Sequence, residues 1–352
     1  MNKNDAYASH FERVDAYIRQ INRLFSSANK QYAKLALETS FDGSKTFVFS
    51  DFPELKKRVD EITEKLSKEL YSNIVKGVQV EWDESNSDNN EYEKYIIENV
   101  FKKNFRDIGQ NKAWFDENKK ALQSFLSRKQ KGLNLSQKVW KIGGMYQEDV
   151  QVALSDSLAD AITNGTSAAD LSRTIRKNLI DPDKLFRRVR DKYGELQLSR
   201  AAKSYNPGPG RYRSSYKNAM RLARTEINIS YRTADQVRWN DLDFIVGFEV
   251  KRSANPYPCP LCDALAGKYP KKFVFTGWHP QCRCYVTSIH CTDREFESIL
   301  NDEPVTSANE IKEVPGNFKD WIIKNQDRIQ KADESGTLPY FLKDNNFDRY
   351  LK

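Results

Sequence analysis

Outside one short window this chain has no cysteine. Cys259, Cys262, Cys282, Cys284 and Cys291 fall within 33 residues, and the other 319 carry none. Random scatter does not produce such a cluster, and in a reducing compartment it points to a metal site in preference to disulfides. The chain also has no run of about 18 apolar residues, which excludes a segment built to span a bilayer. Its first residues, MNKNDAYASHFERVDAYIRQ, are charged throughout, with no apolar stretch before a small-residue cleavage site. No signal peptide is expected, and residence in a cytoplasm is the expectation. No P-loop, GxGxxG, GxSxG, HExxH or HxE shortly before the PCxxC is found, and no repeat of fixed period. The glycines of Asn206-Pro-Gly-Pro-Gly210 do not replace a phosphate-cradling loop, because the prolines remove the amides such a loop needs. These absences predict a protein that is not an enzyme.

What remains is polar: 39% apolar and 30% charged residues over 352 positions. This composition suggests long solvated helices around modest cores, and a length that suits two or three domains. The expected fold class is α+β, mostly helical, with a small antiparallel sheet and metal knot near residues 244–291. The expected regions are a helical 1–140, a central 141–295 holding the Cys/His cluster, and a helical module at 296–352.

Helical periodicity carries the N-terminal region. Phe11, Val14, Tyr17, Ile18, Ile21, Leu24 and Phe25 recur at three- and four-residue steps. Leu55, Val59, Ile62, Leu66, Leu70 and Ile74 repeat the pattern after Pro53, a residue suited to a first helical turn. The acidic, Asn/Ser-rich Glu81–Glu93 reads as a surface loop or linker. Further helices are expected over 95–105, 118–128, 147–162, 168–179 (with Ser167 as N-cap), 213–240 and 318–332. Strands are expected at Phe244–Val250, Lys272–Thr276 and Cys284–Ile289, whose β-branched and aromatic residues suit a sheet. Leu338–Leu342 reads as a packing tail.

The net charge of +8 is concentrated. Residues 171–252 hold nineteen Lys/Arg against nine Asp/Glu. A basic segment of this kind suits nucleic acid or an acidic surface, with Arg187, Arg188 and Arg190 as candidate phosphate contacts. Solvated helix faces explain the same charge.

The cluster itself reads Cys-Pro-Leu-Cys, sixteen residues, then His-Pro-Gln-Cys-Arg-Cys. A CxxC turn brings two sulfurs to one side, and His279 with Cys282 completes a tetrahedron of thiolate and imidazole donors. With no open position, that donor set describes one structural zinc per chain. Cys284 and even His290 are alternatives for the fourth ligand. Pro258, Pro260 and Pro280 stiffen the ligand turns. Upstream, Ala223-Arg-Thr-Glu-Ile-Asn228 lies within a helix, where a buried Arg–Glu pair holding the helix to the sheet is expected.

The helix with Arg224-Thr225-Glu226, the strand after it, the CxxC turn and the final HPxCRC resemble the Mu F-like phage head-morphogenesis proteins, also called minor head or minor capsid proteins. Residues 161–175 resemble that family's helix-turn-helix lead-in. The likeness spans about residues 145–290. It implies a phage or prophage protein of the virion or host cytoplasm, working in head morphogenesis, DNA packaging or delivery. The implied partners are the portal and other capsid or scaffold proteins and packaged DNA, with no membrane. The resemblance carries Arg224, Thr225, Glu226, Cys259, Cys262, His279, Cys282 and Cys284 as structural positions. The competing readings are a zinc-ribbon nucleic-acid-binding protein and a prophage-encoded toxin or enzyme.

Overall fold

The computed structural model describes residues 3–38, 49–108, 114, 117–164, 188–190, 196–198, 212, 214–253 and 259–350. The fold is mostly helical α+β, with a three-stranded antiparallel sheet. Helix α1 runs Lys3–Glu38, α2 Pro53–Asn99, α3 Phe105–Ile108, α4 Lys119–Ser127 and α5 Leu135–Asn164. A two-stranded ladder joins β1 (Arg188–Arg190) to β2 (Leu196–Leu198). Helix α6 (Ser215–Asp241) precedes the sheet strand β3 (Ile245–Lys251). After it come α7 (Pro260–Ala264), β4 (Gly267–Tyr269), β5 (Tyr285–His290) and α8 (Asp293–Leu300). Helices α9 (Gly316–Lys324), α10 (Gln326–Glu334) and α11 (Tyr340–Lys343) follow, and a 3-10 turn at Phe347–Tyr350 closes the described chain. No described helix is long and apolar enough to cross a membrane. The helix expected over 168–179 and the Asn206–Gly210 break lie outside the described residues.

The chain divides into two compact units, each discontinuous in sequence. The three consecutive regions expected above are a different division of the chain. One unit comprises Ala16–Lys76 and Ser127–Ala223. Its core stacks Ile21, Phe25 and Tyr32 of α1, Val59, Leu66 and Ile74 of α2, and Val139 and Tyr146 of α5, all buried. Phe25 meets the Tyr146 and Tyr216 rings edge-on at 5.0 and 5.4 Å, and Tyr32 hydrogen-bonds the Thr63 hydroxyl at 2.7 Å.

The other unit comprises Met1–Asp15, Gly77–Leu126 and Arg224–Lys352. Its sheet has the order β4-β3-β5, antiparallel throughout, with Phe248 paired to Tyr269 on one side and Ser288 on the other. The expected strands at 244–250 and 284–289 are present as β3 and β5. The third is not: Lys272–Thr276 forms turns and bends, and the third strand is β4. The reason is side-chain packing. Phe273 is buried between Tyr269 (centroids 4.5 Å) and Phe318 (5.4 Å), and Phe275 against Trp278 (4.8 Å), so this aromatic run fills a core without joining the ladder. The packing tail is as expected: Phe341 and Leu342 are buried, with Phe341 edge-on to Trp278 at 5.3 Å.

A second correction concerns Glu81–Glu93, which is neither loop nor linker. Helix α2 continues through it without a break. The buried face marked by Val59, Leu66, Leu70, Ile74 and Val78 carries on as Glu81, Trp82, Ser85, Asn89 and Glu93 before returning to Ile96 and Ile97. The helical period is unbroken; only the chemistry of the buried residues changes. Glu81, Ser85 and Asn89 find partners on α1 and α6, while Glu93 meets Ser288 and His290 of β5. Glu81 takes His10 Nδ1 at 2.6 Å and Arg13 at 2.7 and 3.0 Å. Asp235 takes Lys3 at 3.0 Å, the Tyr7 hydroxyl at 2.6 Å and Asn89 at 2.6 Å. A helix with charged groups on its inward face is stable only when each group is paired in this way.

Candidate metal centre

Two short turns bring the donors together. Asp263 N–H donates to the Cys259 carbonyl at 3.0 Å, closing the CxxC turn at the start of α7. Cys282 N–H donates to the His279 carbonyl at 3.1 Å, closing the HPQC turn. Gln281 sits there at φ +63. Gly277, at φ +121, lets the backbone pass where a Cβ would stand 3.1 Å from Cys282 Cβ and 2.8 Å from an Arg232 nitrogen. A side chain at this position would be strained in conformation and crowded at once.

The resulting cluster holds five donors. Cys259 and Cys262 sulfurs lie 3.0 Å apart, each 3.2 Å from His279 Nε2, and Cys262 is 4.0 Å from Cys282. Donors of Cys259, Cys262 and His279 are mutually within 4.8 Å, as are those of Cys262, Cys282 and Cys284. Cys262 is common to both groups. All five cysteines are free thiols. Donors around one ion at bond lengths of about 2.0–2.3 Å stand roughly 3.3–3.8 Å from one another, close to these separations.

His279 supplies the most specific detail. Its Nδ1 is 2.8 Å from the Pro280 carbonyl. A carbonyl oxygen only accepts, so Nδ1 carries a proton, which leaves Nε2 as the ring nitrogen that faces the sulfurs and could bind an ion. This backbone bond fixes both tautomer and ring orientation, the usual arrangement behind a metal-bound imidazole. The donor set thus fits a metal ion such as zinc; His290 does not share it. That ring lies at the end of β5, with Nε2 3.2 Å from Glu93 and 3.2 Å from Ser288. Cys291 is buried, and burial pushes its thiol up to about 12.

Among themselves the thiols share charge unequally. Hydrogen bonds from Cys262 and then Cys284 hold the Cys282 thiol well below its ordinary value, against the pull of burial. The bond to Cys282 pushes Cys262 up.

Helix α6 grips the HPQC turn along its length. Arg224 donates to the Gln281 side chain at 3.3 Å, and the Thr225 hydroxyl accepts the Gln281 N–H at 3.2 Å. Asn228 reaches the Cys282 carbonyl at 3.4 Å. One turn on, Arg232 donates to the carbonyls of Thr276 (3.0 Å), Cys282 (2.6 Å) and Cys284 (2.8 Å). Arg224 also faces the carboxylate of Asp15 on α1, at 3.6 Å. Asp15 also holds Arg283, the arginine between the last two cysteines, at 3.0 Å. Glu226 is buried on the same helix.

Arg232 and Asp15 escaped the sequence reading, whereas Asn228 lay within the helical string already singled out. The helical spacing 224-228-232 marks one face of α6 and was available as a signal. Of the basic candidates, Arg187 lies outside the described residues. Arg188 and Arg190 belong to β1. No family model, curated protein or solved structure matches this chain.

Proposed function

We propose that this chain is a minor head protein of a phage or prophage, acting in head morphogenesis near the portal, with the Cys/His cluster as a structural zinc knot. The observation that supports the knot is the His279 ring, held by the Pro280 carbonyl with its free nitrogen 3.2 Å from two cysteine sulfurs. Cys259, Cys262, His279 and Cys282 would hold one ion, and its role when bound would be to tie the two turns together. Four protein donors leave no position for substrate or water, which favours a brace over catalysis. The head-assembly role rests on the resemblance of Arg224-Thr225-Glu226 and HPxCRC. It gains support from their placement, since Arg224 and Thr225 both hold the turn that carries His279 and Cys282.

Two measurements test the proposal. Elemental analysis of the purified chain is expected to return about one zinc per chain, lost in Cys259→Ser and Cys282→Ser together with folding. Fractionation of virions is expected to find the chain with the portal. Its consistent absence from both particles and portal complexes would end the head-protein reading while leaving the knot intact.

A further inference from the structure

Arg232 is 2% exposed, yet no carboxylate lies within ion-pairing distance of it among the described residues. The buried Lys3, by contrast, has Asp235, and the half-buried Arg13 has Glu81. Arg232 spends its guanidinium on three carbonyls of the loop that carries the sulfurs, and lies over the Phe275 ring at 5.6 Å. A buried charge without a compensating charge is costly, and carbonyl dipoles offset only part of that cost. Two of those carbonyls belong to Cys282 and Cys284, whose thiols can become anionic. Three thiolates and a neutral imidazole around a divalent ion carry a net charge of −1, which one guanidinium cancels; four thiolates would carry −2.

We infer that Arg232 is the buried counter-charge of a three-thiolate, one-histidine metal centre, and so selects for an anionic donor set of that charge. The inference rests on the metal reading above. It assigns Arg232 an electrostatic role toward the ion besides its hold on the backbone. Cys259, Cys262 and Cys282 would supply the three thiolates.

The test uses the full chain and cobalt(II) as the metal alone, with affinity read by competition against a chelator and thiolate ligation by the sulfur-to-cobalt charge-transfer band. Arg232→Gln keeps a hydrogen-bond donor but removes the charge, and is expected to weaken cobalt binding by about 10–100-fold. Arg232→Lys keeps the charge without the planar fork and is expected to recover most of that loss. Both are repeated with Cys259→His, which replaces one thiolate by a neutral ligand. There the ion and its donors are already neutral, so the effect of Arg232→Gln is expected to shrink to a few-fold.

Equal losses in the two backgrounds, or equal losses from Lys and Gln, would mean that Arg232 only holds carbonyls, and would overturn the assignment. Unchanged affinity in Arg232→Gln would do the same. Should Arg232→Gln not fold, the comparison of Arg232→Lys with the parent decides: full retention supports the charge, and a loss beyond tenfold removes it. A parent chain that takes up no cobalt would instead remove the metal reading itself.

Discussion

Two regions of the same unit bury polar chemistry by opposite means. The cysteine knot gathers donors from residues 259–284, close in sequence, and its residue types announce a metal. The seam along α2 gathers Glu81, Asp88 and Asn89 with Lys3, Tyr7, His10, Arg13, Tyr231 and Asp235, in pairs whose separations run from 68 to 232 residues. No residue type there is unusual. A local cluster of rare residues is legible on its own, whereas a buried pair of common residues becomes legible only when both partners are known. The difference also concerns energetics. The knot would be held by an ion it must acquire, the seam by charges the chain already has.

Removing the centre of the knot should have the largest effect. Cys262 belongs to both donor groups, so Cys262→Ser is expected to abolish zinc binding and unfold the surrounding unit, as losing a structural metal commonly does. Circular dichroism with elemental analysis checks this. A folded, zinc-loaded variant would show that the two donor groups do not depend on their shared sulfur.

Breaking the seam should come next. Glu81→Ala leaves the His10 and Arg13 donors buried or half-buried without their carboxylate. It is expected to cost about 3–5 kcal/mol in urea unfolding, the range for breaking a buried pair. The double variant Glu81→Leu/His10→Leu should cost less than Glu81→Ala, because no donor of the pair is then stranded.

Acid sharpens the same contrast. Burial raises the Glu81 carboxyl, but the hydrogen bonds from His10 and Arg13 outweigh it, so its folded value falls below 4.5. Burial also holds His10 below 6.5, against Glu81. Both groups bind protons less readily folded than unfolded. Their stabilisation is present above those ordinary values and is lost as pH falls, first below 6.5 and then through the depressed folded value of Glu81. Urea midpoints are expected to decline on that course, and less steeply in Glu81→Gln. An identical decline in Glu81→Gln would remove the carboxylate from the explanation.

Smaller effects are expected at the edges. Gly277→Ala, at φ +121 beside Arg232 and Cys282, should cost about 1–3 kcal/mol through backbone strain and should weaken zinc retention. Thr292→Ala removes the capping box of α8, in which Glu295 and Thr292 satisfy one another's backbone. A loss of about 1 kcal/mol with unchanged metal content is the expected result.

Much of the fold could be read in advance. The α1 and α2 periodicity, β3, β5, the helix through Arg224 and the spacing of the knot residues all follow local rules. Glu81–Glu93 was misread because polarity was taken as exposure, although its three- and four-residue spacing continued the buried face of α2. Lys272–Thr276 was misread because Phe273 and Phe275 satisfy strand preference equally well while packing on Tyr269 and Trp278. In the site, the donors were legible. Arg232, Asp15 and the Pro280 carbonyl were not, since each acts through geometry that only the folded chain provides.

The core around Trp278 uses Phe318 and Phe341, and residues as distant as Tyr7 and Phe347 belong to the same buried cluster. During synthesis the thiols therefore leave the ribosome well before the residues that enclose them. At about 5–20 residues per second, residue 347 follows Cys284 by roughly 3–13 seconds. For that interval the sulfurs depend on the reducing strength of their surroundings, and any metal capture before closure would be a race against oxidation.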